Sequence, residues 1–298
     1  MTLPEISKDG VRRQLFRLFF RLVGVMPRGG IRRLGRVPGV RKTYDWLVRF
    51  SPQEMLVEVQ GNKMYIIPPD SALSRELLLC GIYEKGGVRV FHELIRRGMN
   101  VVDLGANIGY FTLIAAKLVG PEGKVFAFEP EPKNFSVLQR NVSMNGYENV
   151  ILVQEAVSDK KGVAQLHLRS DSWAHSLSSS NGDIGSISVP VTSLDQFFSE
   201  DAAIDFIKMD IEGAEGKAIQ GMERILGKGD VKAMVVEFHL TELEGQGSSF
   251  EEAWHQFKTL GFEFYEMRDN GIREVDFQQA LCLAHKQGEG VNLLCLRK

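Results

Sequence analysis

An open, doubly wound α/β domain is predicted for the last two thirds of this chain, and two observations predict it. From Gly98 onward short apolar runs alternate with helical segments, as in successive βαβ units. Glycine and acidic residues stand where the apolar runs end, which is where such sheets bind ligands. The chain has 298 residues, 44% of them hydrophobic and 25% charged, enough to bury a substantial core.

The elements follow in order. Over residues 9–24, Val11, Leu15, Leu18, Phe19 and Leu22 recur at spacings of three and four with Arg12, Arg13, Arg17 and Arg21 between them, a basic amphipathic helix. Residues 27–42, rich in Gly and Arg, read as a linker. Apolar runs at 55–59 and 63–67 flank Gly61-Asn62 and predict a hairpin. A helix over 88–97 leads into the core, where strands are expected at 101–102, 125–128, 150–154, 206–209 and 233–238. Helices are expected between them at 110–118, 133–144 and 215–226. A helix at 250–260, a strand at 262–267, a long irregular link and a strand at 291–296 close the chain, the last strand expected as an antiparallel addition at the sheet edge. Residues 169–188 have loop composition, with Trp173 and His175 among Ser, Gly and Asp, and fit a lid, a substrate wall or a surface insertion. The expected organisation is a basic extension over 1–50, a hairpin and helix over 51–98, and the α/β domain over 99–298.

The formal net charge of -2 hides an asymmetry, because residues 1–50 carry 12 Lys and Arg against 3 Asp and Glu. The head is basic and the body acidic. Residues 9–24 are therefore expected to meet anionic membrane surfaces or an acidic partner, or to pack their apolar face on the main domain. Cys80, Cys282 and Cys295 form no C-x-x-C pair and no zinc spacing, so neither a disulfide framework nor a metal finger is suggested. Arg17 and Arg21 interrupt the early apolar stretch, so neither a secretory segment nor a membrane span is read there, and a cytoplasmic location is expected. No nucleic-acid partner is expected.

The stretch from Asn100 to Thr112 is the most informative, with a buried strand ending at Asp103 and a helix beginning near Ile108. Asp103, Gly105, Ala106, Asn107 and Gly109 are expected at a cofactor: the glycines allow a tight turn and clear space, and the helix-start amides can receive a carboxylate. A methionyl carboxylate serves as well as a phosphate there. A dinucleotide enzyme needs G-x-G-x-x-G, and Asn107 and Tyr110 replace its second and third glycines, which disfavours a nicotinamide oxidoreductase. Glu129, ending the next strand before Pro130, would accept both ribose hydroxyls of a nucleoside, with Pro130 as an apolar edge for the purine. Glu155 and Ala156, after the third strand, are expected near the adenine.

With D-L-G-A-N-I-G-Y-F-T from Asp103, F-E-P from Phe128 and F-I-K-M-D-I-E-G-A-E from Phe206, the sequence resembles the FkbM family of S-adenosylmethionine (SAM)-dependent methyltransferases. The resemblance runs from about Gly81 to Phe238. It implies the class I methyltransferase sheet of seven strands, with SAM as cofactor and O-methylation as the commonest activity. It also implies that Tyr83 and Glu84 face the cofactor. A non-catalytic nucleoside-binding or membrane-recruited module on the same fold is the alternative.

Methyl transfer requires an aligned acceptor oxygen that loses a proton, hence a base or a metal beside it. Asp210 and Glu212 stand two apart after the fourth strand, and His239 ends the fifth; these three are the candidate catalytic residues. Glu212 and Glu215 could equally favour a helix N-terminus. Asp210, Glu237 and His239 are a candidate ligand set for Mg²⁺ or Mn²⁺. The expected acceptor is a small-molecule or glycan-like hydroxyl.

Overall fold

The computed structural model describes residues 54–67, 72–169, 174–288 and 290–298, with Gly39 and Lys42 in addition. The basic helix expected over 9–24, nearly all of the 27–42 linker, and Trp173 lie outside the described residues. The chain divides into two compact units, Met1–Glu84 and Lys85–Lys298. Among the described residues, no helix is long and apolar enough to cross a membrane.

In the first unit β1 (Met55–Val59) and β2 (Asn62–Ile66) pair antiparallel from Met55↔Ile66 to Val59↔Asn62. The two turn residues are Gln60 and Gly61, both left-handed with φ of 52° and 73°, the geometry of a two-residue hairpin loop. The turn therefore falls one residue before the expected Gly61-Asn62, and Asn62 opens β2 as a buried residue. Helix α1 (Ala72–Cys80) follows. Glu84 closes this unit, with a left-handed φ of 42°.

The second unit opens with α2 (Lys85–Leu94) and then alternates: β3 (Asn100–Leu104), α3 (Tyr110–Val119), β4 (Lys124–Phe128), α4 (Pro132–Met144) and β5 (Val150–Val153). A small-sheet excursion follows, comprising β6 (Ala156–Val157), β7 (Gly162–Leu168) and β8 (Gly185–Thr192), closed by α5 (Leu194–Phe197). The chain then returns through β9 (Phe206–Met209), α6 (Glu215–Gln220), α7 (Glu223–Gly227), β10 (Ala233–His239), α8 (Leu240–Gly245) and α9 (Phe250–Thr259). It ends with β11 (Phe262–Arg268), β12 (Gly271–Glu274), α10 (Phe277–Gln287) and β13 (Gly290–Arg297).

The main sheet has the order β12-β11-β13-β10-β9-β3-β4-β5, in which β5, β4, β3, β9 and β10 run parallel. From β3 the sequence grows outward through β4 and β5, then returns to the other side of β3 as β9 and β10. The order thus reverses between β3 and β9, the switch point at which α/β sheets bind ligands.

Two expectations are corrected here. The sheet has eight strands rather than seven, because the expected irregular link contains β12, hairpinned to β11, and α10. The antiparallel strand β13 does not lie at the edge; it is inserted between β10 and β11.

The core lies where the sheet meets its helices. Leu104, Phe128, Ile207, Met209, Val236 and Phe238 are buried in one cluster with Ile219, Ile225 and Phe257. Trp254 of α9 stacks on Phe264 of β11 with ring centroids 3.7 Å apart. Helices start where local chemistry satisfies their free amides: the Glu131 carboxylate accepts from Asn134 N before α4, and Ser249 with Glu252 forms a capping box before α9. The single helix expected over 215–226 is broken into α6 and α7, because the Asp195 carboxylate draws the amides of Arg224 and Ile225 into a new helix start.

Residues 169–188 differ most from expectation. β8 already begins at Gly185, in a second sheet of order β6-β8-β7, and Ser176 makes an isolated antiparallel bridge to His167. That sheet has its own small core of Ala156, Leu166, Val189 and Val191. The segment is tied to the motif after β9, since the Ser176 hydroxyl donates to the Glu212 carbonyl and Gln246 Nε2 of the loop after α8 donates to the Leu177 carbonyl.

Candidate active site

At the switch point β3 gives way to a tight loop. The amides of Gly105 and Ala106 donate to the Phe128 carbonyl at 3.1 and 2.9 Å, which ties the loop to the end of β4. Asn107 is left-handed, with φ of 51°, and its side-chain oxygen accepts from Ile108 N at 2.6 Å. Asparagine tolerates that conformation through such a local bond.

Gly105 and Gly109 both have left-handed φ, and both are also required by packing. A Cβ on Gly105 would stand 1.8 Å from the Asp210 carbonyl oxygen, and one on Gly109 would stand 2.7 Å from Leu138 Cδ1. Gly105 thus lets β3 and β9 end side by side, and Gly109 lets α3 and α4 approach. With φ of 96°, Gly109→Ala is expected to lose about 2 kcal/mol of stability, read by urea unfolding; a loss under about 0.5 kcal/mol would show that Leu138 yields freely.

Glu129 is 6% exposed and uses both oxygens: Oε2 accepts from Asn107 N at 2.8 Å and Oε1 from Glu131 N at 2.9 Å. Burial pushes its carboxyl up to about 7, against the pull of the Glu131 and Asn107 amides. Each oxygen keeps further acceptor capacity. Pro130 beside it is half-buried.

A second cluster stands at the ends of β9 and β10. His239 Nε2 lies 3.6 Å from Asp210 Oδ1 and 3.8 Å from Glu237 Oε1, and its Nδ1 lies 3.5 Å from Glu212 Oε2. None of these is a hydrogen bond, and Nε2 is buried without a hydrogen-bond partner. Asp210 and Lys208 are closer, with Nζ 3.2 Å from Oδ2. Glu215 is fully buried; its Oε1 accepts from Gly213 N at 2.9 Å and its Oε2 has no partner.

The electrostatics follow from crowding. Burial opposes ionisation of Asp210, but Lys208 and then His239 prevail and hold its carboxyl well below the usual range. Burial raises Glu212 to about 9 and Glu215 to about 7, and raises Glu237 as well. Burial alone would depress His239; Asp210, Glu212, Glu215 and Glu237 outweigh it and raise the imidazole well above its ordinary value. The site therefore holds an ionised Asp210 beside an imidazolium.

The candidate catalytic residues Asp210, Glu212 and His239 come together, and their ligand atoms all lie within 4.8 Å of one another. Glu237 faces the imidazole at 3.8 Å but is not in that compact set. Glu212 reaches the cluster through a left-handed turn, φ 54°, not along the expected extended segment. Asp103 points to Thr112 Oγ1, which donates to it at 2.5 Å, and to Lys208 Nζ at 3.8 Å; burial raises its carboxyl. Ala156 belongs to the small sheet's core, with Glu155 half-buried before it.

Lys208 is the site residue that sequence reasoning missed. Its Nζ donates to the Gly105 carbonyl at 3.2 Å as well as to Asp210, and it joins the β3 loop to the β9 cluster. A lysine inside the wholly buried run Phe206–Met209 was the signal, since lysine is buried only when paired.

The family profile described as Methyltransferase FkbM domain matches residues 103–264. Methyltransferase 1 of Beauveria bassiana is 27% identical over 145 residues, covering 41% of this chain and 58% of that protein. Protein-L-isoaspartate O-methyltransferase 1 of Archaeoglobus fulgidus is 36% identical over 68 residues, covering 22% of this chain and 32% of that protein. A solved SAM-dependent O-methyltransferase of Thermotoga maritima superposes with a TM-score of 0.41 at 13% identity, covering 87% of this chain and 81% of that one. The chain matches just over half the length of the first of these relatives and about a third of the second.

Proposed function

The chain belongs to the FkbM methyltransferase domain family, matched from Asp103 at β3 to Phe264 in β11, and from that premise we propose that it transfers the methyl group of SAM to a hydroxyl of a small-molecule or glycan-like acceptor. The observation that carries this reading is the Asp210–His239–Glu212 cluster, joined through Lys208 to the Gly105 loop at the same switch point.

The loop fits a nucleoside cofactor. Glu129 would accept the ribose hydroxyls with its remaining lone pairs, while the amides at the start of α3 would face the methionyl carboxylate. When bound, SAM supplies a sulfonium methyl whose carbon the acceptor oxygen takes, the electron pair of the broken S–C bond staying on sulfur. Asp210 accepts the hydrogen bond of the acceptor hydroxyl and aligns it. The hydroxyl proton becomes strongly acidic as its oxygen is methylated, so the ionised Asp210 can take it despite its low pKa. His239 stabilises that carboxylate before the transfer. Glu155 and Ala156 stand beyond the end of β5, where we place the adenine.

Calorimetry with S-adenosylhomocysteine and NAD side by side, then methyl release over sugars, lipids and phenols, tests the reading. Binding of NAD alone would overturn it.

A pH dependence follows from Glu129. The ionised carboxylate is the form that accepts two hydroxyls, so S-adenosylhomocysteine affinity should rise with pH and level off above about 7. The same raised pKa acts oppositely on the fold, whose contribution from Glu129 is full below the unfolded value of 4.5 and is lost as pH climbs through about 7. Glu129→Gln should flatten the binding profile and weaken binding at pH 8 by roughly ten- to a hundredfold, as expected for hydrogen bonds to a charged group. Wild-type affinity in that variant would remove Glu129 from the cofactor site.

A further inference from the structure

The cluster at the ends of β9 and β10 gathers four carboxyl groups round one imidazole. Four carboxylates, Asp210, Glu212, Glu215 and Glu237, each bear on the imidazole of His239. All are largely buried, with side-chain exposures of 28% for Asp210, 9% for Glu212 and 21% for Glu237, and Glu215 is fully buried. The fixed cation nearby is Lys208, which is shared between Asp210 and Asp103. Such carboxyl groups bear charge in a buried site only where a partner is supplied.

Two buried polar atoms have no hydrogen-bond partner here, His239 Nε2 and Glu215 Oε2. The three carboxylate approaches to His239, at 3.5 to 3.8 Å, are too long for hydrogen bonds. Asp210 divides its oxygens: Oδ2 faces Lys208 at 3.2 Å, and Oδ1 faces the imidazole. Lys208 therefore approaches Asp210 on Oδ2, while Oδ1 is turned toward the imidazole.

We infer that Asp210, Glu212 and His239 bind one divalent cation, of the Mn²⁺ class, at the acceptor end of the site. The donor set decides the class. One imidazole and two carboxylates form a mixed nitrogen and oxygen shell that suits Mn²⁺ better than Mg²⁺, whose preferred partners are oxygen alone, and leaves positions for water or an acceptor oxygen. Glu237, whose Oε1 lies 3.8 Å from the same Nε2 that faces Asp210, stays outside the compact set. Use of the cation in methylation rests on the reading of this cluster as the acceptor end; there it would hold the acceptor oxygen and ease loss of its proton to a neighbouring carboxylate. Binding uses the side chains named and displaces the ring proton of His239 and the carboxyl proton of Glu212.

The test uses the full chain, stripped with chelator and dialysed, and follows the electron paramagnetic resonance signal of free Mn²⁺ during titration. One Mn²⁺ per chain is expected, with affinity at least about tenfold weaker in Asp210→Asn and in His239→Gln, since even an outer partner of a metal ligand is worth that much. Glu212→Gln is the second variant should either of these misfold. S-adenosylhomocysteine calorimetry on the same samples reports whether each is folded and keeps the two readings apart. Wild-type protein that binds S-adenosylhomocysteine but leaves the Mn²⁺ signal unchanged overturns the cation site and leaves the methyltransferase reading standing. Mn²⁺ binding unaltered in folded variants overturns it equally. Mn²⁺ binding without S-adenosylhomocysteine binding would uphold the site and remove the methyl-transfer reading.

Discussion

Asp210→Asn is expected to lower kcat by about a hundredfold to ten-thousandfold while S-adenosylhomocysteine affinity stays within about threefold of wild type. The amide keeps the size of the carboxylate but can neither take the acceptor's proton nor face the imidazolium as an anion. Lys208 is not orphaned by the change, because its ammonium still has the Gly105 carbonyl at 3.2 Å and Asp103 at 3.8 Å. The fold should therefore persist, and a thermal melt separates catalysis from stability. KM should change little if Asp210 acts on the proton, whereas a rise in KM at constant kcat would reduce it to an acceptor-binding residue. A kcat within about tenfold of wild type would remove Asp210 from proton transfer.

Lys208→Met should be the most destabilising single change at the site, costing about 3–5 kcal/mol in urea unfolding at neutral pH, the scale of a broken buried ion pair. Methionine replaces the stem above the Phe111 ring, 5.7 Å from Nζ, but removes the charge that Asp103 and Asp210 share. Asp103 is 1% exposed, and Thr112 alone would remain to hold it. Its carboxyl, already raised, would rise further. A group raised in the folded state costs stability above its unfolded pKa, so the deficit should shrink as pH falls toward the carboxylate range. A deficit under about 1 kcal/mol, or one that does not vary with pH, would show that the ammonium does not neutralise the pair.

What could be read in the sequence was what local pattern controls. The βα alternation placed β3, β4, β5, β9 and β10 to within a residue or two, because buried parallel strands are short apolar runs bounded by turns. Strand ends then placed Glu129, Asp210 and His239. The left-handed turn at Glu212 could not be read, since nothing in a glutamate codes for φ of 54°; the surrounding contacts impose it. The small sheet escaped for a different reason. Ala164, Leu166 and Leu168 in β7 and Ile187, Val189 and Val191 in β8 do alternate as in half-buried strands, but the 75% exposed Val163 and Pro190 within β8 mask the pattern. Lys208 was visible as a residue but silent as a role, because its three partners come from segments about a hundred positions away and from its own strand end.

The insertion of β13 between β10 and β11 has a consequence for synthesis. Seven residue pairs join β13 to β10, from Ala233↔Leu296 to His239↔Gly290, and five join it to β11. While the ribosome is still making Gly290–Arg297, the flank of β10 is open and the β11–β12 hairpin has no strand to dock on. A nascent chain or a premature-stop product lacking those residues would present two apolar strand flanks at once, an invitation to coaggregation. His239 sits on the last of those β10 pairs, so the histidine of the reacting cluster is clamped by a strand translated after β11, β12 and α10. Acquisition of activity in a translation reaction should accordingly lag behind acquisition of the parallel half of the sheet.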